Sequence, residues 1–201
     1  MTILAFVRHG QTEWNHQQRM QGRKNSMLTD VGVKQAQSLQ NKLATVDFDA
    51  CYVSPSLRAI QTAELIIHNT QHSLLIDERL QEIDMGAWEG QLAKTIEQES
   101  ADEWFAFWHQ PDTFKALNGG ENFTEVEQRI ASFLADLLSE QTDKTYLIVS
   151  HRLTIKVALN FLLKHSLSHL NQLPDIKPNS LSIFDTQTDS IISYSDISHY
   201  E

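Results

Sequence analysis

The sequence predicts an α/β fold, a three-layer α/β/α sandwich around a central, mostly parallel sheet. Two observations predict it. Short apolar runs alternate along the chain with longer segments whose apolar residues recur at helical spacing. The last two such runs, 180–184 and 191–194, lie close enough to close the sheet as a hairpin. With 201 residues, 41% of them hydrophobic, the chain is expected to form a single domain over 1–201 with one sizeable core.

Ile3–Val7 reads as a buried strand that ends in Arg8-His9-Gly10. The polar stretch from Gln11 to Asp30 has no clear period and reads as a functional loop. Thr29 and Asp30 offer an N-cap to a helix carrying Val33, Ala36, Leu39 and Leu43. Phe48–Val53 is a second strand. Ser54-Pro55 then suits the start of a helix that turns Leu57, Ile60, Ala63, Leu65 and Ile66 to the core, with Arg58 in its first turn. Leu74–Ile76 is a third strand, and Leu80–Gly86 a loop carrying Glu82.

A helix is expected from Lys94 to His109, its end crowded by Trp104, Phe105, Phe107 and Trp108, with Pro111 stopping it. That cluster reads as core, or else as a stacking wall for a substrate ring. Gly119–Asn122 is a turn before the long helix 123–140, with Asn122 as its cap. Thr145–Val149 is a β-branched strand ending in Ser150-His151, and 153–163 is helical. His165 and His169 have i, i+4 spacing, but without a third ligand they read as a solvated face rather than a metal site.

The formal net charge of -10 argues against nucleic acid, whose phosphates need basic stripes. Cys51 is the single cysteine, so an internal disulfide is excluded and a reducing cytoplasm fits. No signal peptide pattern opens the chain and no run of about 18 apolar residues occurs, so a soluble cytoplasmic protein with no membrane contact is expected. The strand edge near the C-terminus leaves room for a homodimer.

In a parallel sheet, ligands sit beyond the carboxyl ends of the strands, where this chain delivers Arg8, His9 and His151. Arg8 offers a planar fork of donors that matches phosphate oxygens. His9 offers a nitrogen largely unprotonated near neutral pH, able to attack phosphorus or shuttle a proton. Gly10 lets the backbone turn close to a ligand. Arg58, at a strand-to-helix junction, stands near helix amides that favour anions.

Arg8-His9-Gly10-Gln11-Thr12, Asn15, Gly22, Leu28-Thr29, Gly32, Ser54-Pro55, Arg58-Ala59, Gln61-Thr62-Ala63, Glu82, Gly86, Trp88-Glu89-Gly90, Gly119-Gly120-Glu121 and Ser150-His151 resemble, in order, the histidine phosphatase superfamily. Pro178-Asn179-Ser180 resembles its closing segment. The resemblance implies a phosphoglycerate mutase-like fold, here with a cap-like insertion around 83–120. It implies phosphoryl transfer through a phosphohistidine, with neither metal nor cofactor.

Carried over by position, His9 is the nucleophile; Arg8, Arg58 and His151 bind the phosphoryl oxygens; Glu82 is the general acid and base, with Glu78, Asp84 and Glu89 as nearby alternatives. Gln11, Thr12, Asn15, Gln21 and Gly22 are the substrate-binding candidates, joined by Arg152, which stands where the family commonly has glycine. Arg152 could pair with a second anionic group on the substrate, although a side chain at a helix start is expected to splay towards solvent. Asn25-Ser26 replaces a usual aspartate and is expected to be a capping swap of little consequence. His9 should donate from its other ring nitrogen to a backbone carbonyl, fixing its tautomer.

Between Ile83 and Gly120 the only cations are Lys94 and Lys115, among many carboxylates. A mutase must hold a second charged group there, so a phosphomonoesterase acting on a small phosphorylated metabolite is preferred to a phosphoglycerate mutase. A non-catalytic phospho-ligand binder is the third reading. Sugar phosphates, nucleotides and α-ribazole phosphate remain open as substrates.

Overall fold

A computed structural model describes residues 2–67, 73–139 and 143–200. Strands β1 (Ile3–Arg8), β2 (Ala50–Val53), β3 (Leu74–Ile76), β4 (Thr145–Ser150), β5 (Leu181–Asp185) and β6 (Ser190–Asp196) form one sheet in the order β3-β2-β4-β1-β5-β6. The first four pair in parallel, and the β5–β6 hairpin closes the sheet antiparallel to β1. The helices are α1 (Glu13–His16), α2 (Asp30–Leu43), α3 (Leu57–Ile67), α4 (Ala93–Glu99), α5 (Ala101–His109), α6 (Phe123–Leu137) and α7 (Arg152–Leu162). None is long and apolar enough to cross a membrane among the described residues.

Side chains of a strand alternate between faces, and two cores follow from that alternation. Leu4, Phe6, Tyr146 and Ile148 face a core with α6 and α7, whereas Ala5, Val7, Leu147 and Val149 face one with α2 and α3. The layers are therefore α2 and α3, the sheet, then α6 and α7. β1 leads to a helix on one face and its neighbour β4 to a helix on the other. The chain thus opens a crevice at their carboxyl ends.

Several elements depart from expectation. The polar stretch 11–30 contains α1, whose single turn is too short to show a period; Thr12 Oγ1 accepts from Asn15 N, and Asn15 Oδ1 from Thr12 N. α3 starts at Leu57, after Pro55 rather than on it, and this leaves Leu57 55% exposed instead of in the core. Ser100 divides the expected 94–109 helix in two, its φ of -134° being non-helical. Glu140, the expected end of α6, lies outside the described residues.

The aromatic cluster also divides. Phe107 is buried among Trp88, Trp108, Phe114 and Phe123, while Phe105 is exposed and stacks on His109. The exposed His169 lies in a 3-10 turn over Leu167–Gln172 beside Ser166, and among the described residues no group of ligating side chains could hold a metal.

Phe107 links the 83–120 segment to the α6–α7 core. Phe107→Ala should cost about 3–5 kcal/mol. Urea unfolding should stay a single transition with a lowered midpoint; two transitions would show that the segment unfolds by itself.

Candidate active site

The site begins with sheet register. β1 and β4 pair with Arg8 opposite Ser150, so the next residues, His9 and His151, leave the sheet side by side, their ring centroids 5.1 Å apart. His9 N donates to Ser150 O at 2.9 Å, extending the ladder by one bond. The following turn is fixed from two sides. Gly10 N donates to Thr62 Oγ1 of α3 (2.9 Å), and Asn179 Nδ2 donates to Gly32 O (2.8 Å) close against Gly10. A Cβ on Gly10 would meet Asn179 Nδ2 at 2.7 Å, so the glycine is needed for that approach.

His9 Nδ1 lies 2.8 Å from Gly10 O, a carbonyl that can only accept. The ring therefore donates from Nδ1, and Nε2 is left with its lone pair, as expected from the sequence. Burial, then the charges of Arg58 and Arg8, hold the His9 imidazole well below its usual pKa. It is neutral at physiological pH.

Arg58 is 1% exposed, and its fork is seated on the main chain of the loop 22–25. Nη1 donates to Lys24 O (2.7 Å) and Asn25 Oδ1 (3.3 Å); Nη2 donates to Gly22 O (2.6 Å) and His151 Nδ1 (3.1 Å). Arg8 Nη1 donates to Ile176 O at 2.6 Å. Arg8 Nε and Arg58 Nε are buried donors with no protein acceptor. Both residues line the cavity beside His9, and such donors suit an anion. Burial lowers each guanidinium to a pKa of about 10, which leaves it charged.

His151 stands one layer behind the cavity wall. Its Nδ1 accepts from Arg58, so its Nε2 donates to Ser54 Oγ at 2.7 Å. Burial first, then Arg58, depresses its pKa well below the usual value. Glu82 is gripped by the start of α7: its oxygens accept from Leu153 N (3.2 Å), Thr154 N (3.1 Å) and Thr154 Oγ1 (3.0 Å). Of the alternative carboxylates, Glu78 bonds Gln81, Asp84 accepts from Gly86 N, and Glu89 accepts from Arg23 N; only Glu82 is on the cavity wall.

The cavity holds about 100 Å³. Asn15, Gln21 and Gly22 line it, and so does Arg152. Gln11 and Thr12 do not. Gln11 Oε1 accepts from Thr29 Oγ1 at the start of α2, and the fully buried Thr12 accepts from Gln21 Nε2, so both brace the wall from behind.

Arg152 is not splayed into solvent. Its Nε donates to Asp175 Oδ1, and its guanidinium lies 4.9 Å over the Trp108 ring, which draws it across the cavity mouth. Asn25 is a cap as expected, accepting from Leu57 N at 3.1 Å, yet it also touches Arg58 and so matters to the site. Arg19, Met20, Met85 and Leu153 line the cavity without having been expected, whereas Trp108 lines it in keeping with the alternative reading of the aromatic cluster. Of these, only the aromatic cluster around Trp108 carried a sequence signal.

The chain is 32% identical over 168 residues to phosphoserine phosphatase 1 of Hydrogenobacter thermophilus (84% of this chain, 79% of that one). It is 33% identical over 164 residues to the probable phosphoglycerate mutase GpmB of Proteus mirabilis (81% and 75%). The solved structure of YhfR from Bacillus stearothermophilus superposes with a TM-score of 0.93 at 33% identity, covering 100% of both chains. Residues 4–193 match the family model of the histidine phosphatase superfamily, branch 1. The chain belongs to that superfamily, and its chemistry is phosphoryl transfer of the phosphatase kind.

Proposed function

We propose that the chain is a metal-independent phosphomonoester hydrolase that works through a phosphohistidine on His9 Nε2. The observation that carries this is the His9 tautomer: Nδ1 is committed to Gly10 O, so Nε2 is the nucleophile. Neutral His9 attacks phosphorus in line with the leaving oxygen. Arg8 and Arg58 bring the orphaned Nε donors to the equatorial oxygens. These guanidiniums supply the charge neutralisation that a metal ion would otherwise give, which favours a reaction without one.

Neutral His151 has no proton on Nδ1 to offer. In this reading it serves the phosphoryl group through Arg58, whose Nη2 it accepts from and so holds in place. Glu82 gives its proton to the departing alkoxide and regains one from the water that hydrolyses the phosphohistidine. The substrate is a small phosphorylated metabolite, in keeping with a cavity of about 100 Å³. The shortage of cations from 83 to 120 favours hydrolysis over a mutase reaction. Phosphoglycerate mutase turnover above background would overturn that choice.

The direct test is p-nitrophenyl phosphate hydrolysis in EDTA. Native turnover should survive the chelator, and His9→Ala should lose about a thousandfold or more. Loss of native activity in EDTA would refute the metal-free mechanism.

Glu82→Gln should separate substrates by leaving group. kcat/KM for alkyl phosphates should drop by about 10²–10⁴-fold, and much less for p-nitrophenyl phosphate, whose phenolate leaves without a proton. Equal losses would remove Glu82 from the acid role.

The depressed His9 pKa has a consequence for pH. The nucleophile must be neutral, and its folded pKa lies below that of a free imidazole at about 6.5. The acid limb of kcat/KM that belongs to His9 should therefore fall below about pH 6.5, the value of a free imidazole. A limb at or above 6.5 would contradict the burial described for this ring.

A further inference from the structure

We propose that Glu89 is a positioning residue for Arg58, clamping the loop 22–25 whose carbonyl oxygens seat the guanidinium. The proposal rests on the reading of Arg58 as a phosphoryl-binding group. Glu89 itself does not line the cavity; it stands behind Gly22 and Met85, which do.

The clamp can be followed bond by bond. Glu89 Oε1 accepts from Arg23 N at 2.7 Å and from Met85 N at 3.3 Å; Oε2 accepts from Lys24 N at 3.2 Å. The peptide units whose N–H groups point at Glu89 belong to the same short loop whose carbonyls, Gly22 O and Lys24 O, point at Arg58. The loop is thus held between a carboxylate on one side and a guanidinium on the other. Other ties reach the loop from its ends and side chains, Lys24 N also donating to Gln21 O at 3.1 Å and Asn25 Oδ1 accepting from Leu57 N at 3.1 Å, but Glu89 is the carboxylate that takes both successive amides, Arg23 N and Lys24 N.

Gly22 makes the close approach possible. It sits at φ +52°, and a Cβ there would come within 2.0 Å of Glu89 Oε1. The carboxylate occupies the space a side chain would take. Glu89 is in turn fixed by its neighbours: Trp88 is buried in the core, and Gly90 N donates to Met20 O at 2.8 Å.

The consequence for Arg58 is geometric. Its Nη groups are spent on the loop and on His151, and only Nε is left unpartnered. Where Nε stands is therefore set by where Gly22 O and Lys24 O stand, and Glu89 sets those. Without the carboxylate, Arg23 N turns to water and Lys24 N keeps only Gln21 O, so the seat of the fork loosens.

The test is a double-mutant cycle read as the affinity for inorganic phosphate, measured by titration calorimetry on the full chain. The four proteins are the wild type, Glu89→Gln, Arg58→Lys and the double variant. Gln is isosteric but turns an amide donor towards one loop N–H. Lysine keeps the charge at 58 but cannot span two carbonyls.

Glu89→Gln should weaken phosphate binding by about tenfold when Arg58 is intact and by less than about twofold in the Arg58→Lys background. Melting temperatures without phosphate report folding, and Glu89→Met replaces the glutamine variant if that one does not fold. The same fold-loss in both backgrounds would make Glu89 a structural residue only and would overturn the proposal, as would no loss with Arg58 intact. A wild-type chain that binds no phosphate would also overturn it. Because binding is read without turnover, a chain that binds phosphate but hydrolyses no ester would remove the hydrolase reading and leave this result standing.

Discussion

β1 and β4 run side by side in parallel with Arg8 opposite Ser150, and both strands leave the sheet at the same height. The register admits no compromise, because slipping one strand by a single residue would exchange its two faces and bring Phe6 or Ile148 into the wrong core. The pairing that satisfies the hydrophobic pattern is the same pairing that sets His9 beside His151. The remaining groups are then attached to this pair. Thr62 of α3 holds the turn at Gly10, Arg58 of the same helix reaches His151, and the first amides of α7 grip Glu82.

The electrostatics follow from that crowding. Two guanidiniums are buried within reach of two imidazoles in a chain whose net charge is -10. Burying a charge is costly unless it is hydrogen-bonded, and here main-chain carbonyls of residues 22, 24 and 176 do much of that work instead of carboxylates. The choice has a chemical effect. A carbonyl satisfies a donor without cancelling its charge, so the positive field stays in the cavity and keeps both histidines neutral. Among the described residues neither Arg8 nor Arg58 is paired with a carboxylate, so a neutral imidazole and an anion-attracting field coexist.

Much of this was legible in the sequence. Strand-end Arg8-His9 and Ser150-His151 marked the site, because buried runs of that length read as strands and parallel sheets bind ligands at their carboxyl ends. What escaped was of two kinds. α1 is one turn long and shows no period, and the break at Ser100 is a matter of one residue's backbone angle. Arg152 and Gln11 escaped for a different reason. Their placement depends on partners far away in the chain, Trp108 and Asp175 for one and Thr29 for the other, and local spacing carries no record of such partners. Asn25 shows the same limit: its capping role was readable, whereas its contact with Arg58 was not.

The bond from Arg8 to Ile176 O spans 168 residues, and that from Asn179 to Gly32 spans 147. Contacts this distant in sequence close late, since each must overcome the entropy of a long intervening loop. During synthesis, the segment carrying His9 emerges before β4 and before Asn179, and its turn is held from both sides only after them. A nascent chain thus carries His9 before the anion site stands around it. Catalytic competence arrives close to the moment the fold is complete.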